Sequence, residues 1–100
     1  MAKIDLYPLG SIVRVNGQPK RLMIVSRGLS VKHPKEGMVY FDYGGVEYPD
    51  GLVGARICYF NHDMVRELVY AGYDDEDNRR TAEFINNYVQ EHPELKRLRT

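Results

Sequence analysis

The chain holds a single cysteine, Cys58, so no internal disulfide can close and a covalently stapled fold is excluded. One thiol suits a reducing compartment. There is no surplus of charge either: 14 Lys and Arg balance 14 Asp and Glu, and the sequence pI is about 6.8. No global field therefore draws the protein toward nucleic acid or an anionic membrane, and any such partner would need a local patch. No apolar run approaches the roughly 18 residues of a membrane-spanning helix, and the opening Met-Ala-Lys-Ile-Asp-Leu has no apolar core of a signal peptide. A soluble, cytoplasmic protein with no membrane partner is expected.

Motifs that carry chemistry are missing as well. The chain has no Gly-rich phosphate loop, Walker-type Gly-Lys-Ser, His-Glu-x-x-His, Cys-x-x-Cys or Gly-x-Ser-x-Gly. His33, His62 and His92 are scattered over a loop, a helix start and a helix end, which is poor material for a metal site. No metal, no cofactor and no enzyme activity is expected.

What is present is a β-rich composition in 100 residues, 43% of them apolar and eight of them tyrosine. That is one domain of ordinary size, large enough for a modest core. Met38 to Gly51 stands out, because aromatic and β-branched runs flank Gly44-Gly45. Two glycines supply the φ > 0 geometry of a tight hairpin turn. Such a turn pairs Tyr43 with Val46, Asp42 with Glu47 and Phe41 with Tyr48. Val39, Phe41, Tyr43, Val46 and Tyr48 then share one apolar side, while Tyr40, Asp42 and Glu47 look the other way.

Along the chain, Tyr7-Pro8-Leu9-Gly10 reads as a turn and Ser11 to Val15 as an alternating strand ending at Asn16-Gly17. Arg21 to Arg27 is apolar on both parities at Leu22 to Val25 and reads as a central strand covered on both faces. Gly28 to Gly37 reads as a polar loop. Arg56 to Phe60 is strand-like, Asn61 caps a helical turn over His62 to Glu67, and Leu68 to Tyr73 returns to strand. From Asp74, acidic residues lead into Ala82, Ile85, Tyr88 and Val89 at helical spacing, with Pro93 as the stop. The pattern predicts an α+β protein: a small SH3-like five-stranded antiparallel barrel or bent sheet, with a short helical turn before the last strand and a C-terminal helix packed on it. The β-rich core is expected over about 9–73, the helix over about 75–92 and a basic tail over 94–100. Ala82, Ile85 and Val89 are expected to seat the helix.

Three constellations compete for function. Cys58, His62 and Asp63 have the residue types of nucleophile, base and orienter, but they equally read as a small buried hydrophobe beside a helix start. Asp42 and Glu47 could act as paired carboxylates, could be neutralised by nearby Arg or Lys, or could join Tyr40 in an acidic face that receives a basic segment of a partner protein. Tyr40, Asp42 and Glu47 are the candidate partner-binding residues. The alternative is a small-barrel nucleic-acid-binding module that stacks bases on tyrosines beside Arg14, Lys20, Arg21, Arg27, Lys32 and Lys35. Interleaved Asp5, Glu36, Asp42 and Glu47 weaken that basic surface, and no nucleic acid is expected.

The ordered blocks Tyr7-Pro8-Leu9-Gly10-Ser11-Ile12-Val13, Lys20 to Gly28, Phe41 to Gly51, Phe60-Asn61-His62-Asp63 and Gly72-Tyr73 resemble a bacterial family, domain of unknown function 4176. The likeness runs from about Tyr7 to Glu76. Members of that family occur mainly in Firmicutes and are often encoded beside LXG-type polymorphic toxins and type VII secretion components. The resemblance implies a non-enzymatic accessory or chaperone-like adaptor that binds an LXG-type toxin or a small helical secretion factor. It brings no catalytic residues. An exposed strand edge would also permit a homodimer.

Overall fold

The computed structural model describes residues 3–97; of the basic tail expected over 94–100, residues 98–100 lie outside the described residues. Five strands form: β1 (Ile12–Val15), β2 (Leu22–His33), β3 (Gly37–Glu47), β4 (Cys58–Phe60) and β5 (Val65–Tyr70). A single 3-10 turn, His62–Met64, precedes β5, and helix α1 spans Glu76–Glu91. The strands make one antiparallel sheet in the order β4-β3-β2-β1-β5. With β4 and β5 as its two edges, the sheet is open. The protein is thus α+β, with the expected strand count, helical turn and C-terminal helix.

The central hairpin is not where glycine chemistry places it. Gly44 and Gly45 lie inside β3, opposite Ser26 and Ile24 of β2 on one side and Tyr59 and Cys58 of β4 on the other. Neither has positive φ. Their smallness is what the strand uses: a Cβ on Gly44 would stand 2.5 Å from Ser26 Oγ, and one on Gly45 would stand 3.1 Å from both the Met23 carbonyl oxygen and Phe60 Cε1. The expected pairs Tyr43–Val46, Asp42–Glu47 and Phe41–Tyr48 therefore do not form. Tyr43 lies opposite Arg27 and Phe60, and Glu47 opposite Leu22. The chain reverses instead at Pro34-Lys35-Glu36, in the stretch expected to be a loop. There His33 Nδ1 accepts from the backbone N–H groups of Lys35 and Glu36, each at 3.1 Å.

The other elements shift by a few residues. β5 begins at Val65, within the expected helical turn, and α1 is capped by Asp75, whose carboxylate accepts from the Asn78 N–H at 2.9 Å. Asp74 bonds the Asn78 side chain at 3.0 Å. A bulge between Ile24 and Ser26 breaks the alternation of β2 and bends it. Val25 is left exposed, so the strand is not covered on both faces as its apolar run suggests.

Leu6, Val13, Val15, Leu22, Ile24, Tyr43 and Phe60 form the core, against which Ala82 and Ile85 of α1 pack; Val89 is the buried residue of the helix. Each such aliphatic or aromatic side chain contributes about 1.5–3 kcal/mol when fully buried. Gly28 has φ +60 and leaves open the spot where Ile85 sits, 2.8 Å from where a Cβ would be. The N-terminal segment enters the core between sheet and helix, which composition did not signal. Asn86 fixes it, accepting from the Ile4 N–H and donating to the Ile4 carbonyl, both at 2.8 Å.

Candidate functional site

β3 brings Tyr40, Asp42 and Tyr43 to the middle of the molecule, where Asp42 is only 2% exposed. A carboxylate taken so far out of water requires partners. Among the described residues, Arg97 approaches it with both terminal nitrogens, Nη1 to Oδ2 and Nη2 to Oδ1, each at 3.1 Å, and the His62 backbone N–H donates to Oδ2 at 2.8 Å. Asn61 Oδ1 completes the pocket by accepting from the Asp42 N–H at 3.0 Å and from Arg97 Nη1 at 3.4 Å. The Arg97 guanidinium also lies over the Tyr40 ring, 4.7 Å from its centre. Asn61 and His62 are delivered here because the 3-10 turn starts where β4 ends.

A second cluster shares this wall. Tyr43 is fully buried, and its hydroxyl accepts from the Tyr7 N–H at 3.0 Å and lies 2.6 Å from His62 Nδ1. With one proton to give, the phenol donates to that nitrogen when the imidazole carries its own proton on Nε2. The rings of Tyr7, Tyr43 and His62 pack within 4.8–6.0 Å of one another. Burial raises the Tyr43 pKa above the ordinary phenol value, and burial first, then the Asp42 charge, pushes Tyr40 up to about 12.

That elevation makes stability fall in alkali. The unfolded phenol loses its proton near pH 10 while folded Tyr40 keeps it, so the stabilisation is whole below pH 10 and is lost as pH rises through about 12. We expect Tm to drop between those values by an amount equivalent to roughly 1–2 kcal/mol from Tyr40. Tyr40→Phe should flatten that part of the profile, as measured by thermal melts across pH; an unchanged profile would exclude Tyr40 as the titrating group.

The sequence candidates are thus separated. Tyr40 and Asp42 share a buried pocket, and both are close to inaccessible at 3% and 2% exposure. Glu47 is at the far end of β3, lining a cavity of about 150 Å³ with Gln18, Arg56 and Cys58. The three do not make one face, because β3 continues straight through Gly44-Gly45. His62 is taken up by Tyr7 and Tyr43, whereas Cys58 opens on the Glu47 cavity and has its thiol pKa raised by burial, opposite to what an attacking thiolate needs. Among the described residues no group of three or more His, Cys, Asp or Glu could hold a metal ion. No helix among them is long and apolar enough to cross a membrane. The basic residues are dispersed: Arg14 pairs with Glu67, Lys20 with Asp50, Arg21 lies over the Tyr48 ring and Arg27 donates to the Tyr7 carbonyl.

Sequence reading missed Arg97 and Asn61. Arg97 is 55 residues from Asp42, and no local pattern pairs them. It also missed a groove between β2, β3 and α1. Gly28, Ser30, Tyr40, Phe84, Ile85 and Tyr88 line a space of about 270 Å³. Phe84 is 62% and Tyr88 45% exposed, one turn apart on α1. Tyr88 is held by stacking on His92, with ring centres 3.9 Å apart.

An open five-stranded antiparallel sheet, a single packed helix and a buried Asp–Arg–Asn pocket define a small α+β protein with an aromatic groove beside that pocket. The chain belongs to the family described as Domain of unknown function (DUF4176), whose match covers residues 6–81. That span includes Asp42, Asn61 and His62 and stops short of Phe84, Tyr88 and Arg97. No curated protein and no solved structure matches the chain.

Proposed function

We propose that the protein is a non-enzymatic, protein-binding adaptor, an accessory or chaperone-like factor for an LXG-type toxin of type VII secretion or for a small helical partner of that system. The observation that carries this reading is the Phe84–Tyr88 groove. Two aromatic rings stand out from a helix over a floor of Gly28 and Ser30, beside the buried Tyr40. Exposed aromatics beside a concave surface are the composition of binding hot spots, and Tyr88 is already ordered by His92. The sheet order, with the 3-10 turn before the strand that pairs with β1, supports an SH3-like reading of the fold. Family membership supports the partner class through the gene neighbourhood described above.

The test is affinity capture of tagged full-length protein from its own cells at low and high salt, with partners identified by mass spectrometry. The expected result is an LXG-type toxin or small helical secretion factor retained at high salt. The Phe84→Ala/Tyr88→Ala variant should lose roughly 10- to 100-fold in affinity for it while melting like the parent. Nucleic acid released by salt would favour the nucleic-acid-binding alternative instead.

A further inference from the structure

The outer edge of β3 is only partly used by the sheet. β4 pairs with Tyr43, Gly44 and Gly45, and among the described residues the Gly37 to Asp42 half of that edge has no strand beside it. A short segment of the same chain, without regular secondary structure, lies there. The Tyr40 N–H donates to the Lys96 carbonyl at 2.8 Å, Lys96 pairs with Glu36, and Arg97 drops its guanidinium onto Asp42 and Tyr40. These are the two elements of strand-addition recognition: a main-chain hydrogen bond to a strand edge gives affinity, and a side-chain socket gives specificity. The socket is built for a guanidinium. It offers two carboxylate oxygens at matched distances, an amide oxygen and an aromatic face, a set that a lysine ammonium satisfies less well.

The fit of the resident segment is incomplete. Arg97 Nε is buried and has no hydrogen-bond partner among the described residues. A buried donor left without an acceptor costs free energy, which offsets part of the gain from the two carboxylate contacts.

We propose that the Gly37 to Asp42 half of the β3 edge, with Asp42, Asn61 and Tyr40, is a docking site for an extended, arginine-bearing segment of a partner protein, which Lys96 and Arg97 occupy in the unbound chain. This rests on the protein-binding reading and names the chemistry of one contact. The resident segment is tethered, so a competing segment meets an effective concentration on the order of millimolar and must displace it. A partner that also holds the Phe84–Tyr88 groove gains the same tethering advantage.

The test uses a fluorescent peptide, Pro-Glu-Leu-Lys-Arg, which copies residues 93–97. Anisotropy titration against the full-length Arg97→Ala protein should show binding at least about tenfold tighter than to the parent chain, because the tethered competitor is gone. Binding should be lost with Asp42→Asn added, and lost for a peptide ending in alanine or norleucine. Equal binding of the arginine and alanine peptides, or no binding to an Arg97→Ala protein that still melts cooperatively, overturns the proposal. Should Arg97→Ala fail to fold, amide hydrogen exchange of the parent protein decides. Exchange of the Tyr40 amide well ahead of the Tyr43 amide supports a displaceable segment, and exchange of both only on global unfolding overturns it. Because Phe84 and Tyr88 play no part in the peptide assay, failure here leaves the adaptor reading to its own test.

Discussion

Gly72→Ala is expected to cost more than about 3 kcal/mol and lower Tm by at least about 12 °C, or to leave the chain unfolded. Gly72 lies just beyond β5, where its N–H donates to Ser11 Oγ at 2.9 Å. A Cβ there would stand 2.1 Å from the Leu9 carbonyl oxygen, 2.9 Å from the Ser11 nitrogen and 3.0 Å from the Leu9 carbonyl carbon. All three are backbone atoms, so no side chain can swing aside. Leu9 to Ser11 is itself fixed, because the Gly10 N–H donates to the Ile24 carbonyl at 2.8 Å and the Ile24 N–H to the Ser11 carbonyl at 2.9 Å. Relief would require β1 to part from β2 or from the residues after β5. Thermal and denaturant melts measure the effect. A variant melting within a couple of degrees of the parent would show that the β5 exit does not pack against this turn.

Asp42→Ala is expected to cost about 2–4 kcal/mol, measured by denaturant unfolding. The substitution orphans the His62 N–H and frees Arg97, which is already 19% exposed and can move toward water. That freedom keeps the cost below the upper range for a broken buried pair. The double substitution Asp42→Ala/Arg97→Ala should cost little more than Asp42→Ala alone, a coupling of about 1–3 kcal/mol in a double-mutant cycle. Strict additivity of the two single effects would mean that the 3.1 Å contacts carry no net energy.

How far the sequence could be read depended on whether a signal was local. The helix was legible because Ala82, Ile85 and Val89 recur at its period between an acidic start and Pro93. β1 was legible from alternation, and the one-turn helix from Asn61. Gly44-Gly45 misled because glycine marks a place where a side chain is not tolerated, and a positive φ is only one reason for that. Here Ser26, Met23 and Phe60 crowd the strand, a fact about residues 15–22 positions away. Once that turn is misplaced, alternation assigns Tyr40, Asp42 and Glu47 to a surface they do not share. The acidic character of Asp42 was visible and its answering cation was not, since Arg97 reads as one basic residue among several in a tail. Phe84 carried no signal beyond being an aromatic off the apolar stripe of α1, which is the ordinary appearance of a solvent-facing residue.

The wide separation of the paired residues has a consequence for how the chain is made. Arg97 follows Asp42 by 55 residues, and Asn86 follows Ile4 by 82. At synthesis rates of about 5–20 residues per second, Asp42 has been translated roughly 3–11 s before its counter-ion. During that interval the five strands can exist while the carboxylate still needs water and the N-terminal segment has no amide to hold it. The nascent sheet must therefore remain hydrated along the β3 edge, and the domain can close over Asp42 only after α1 has been translated in full.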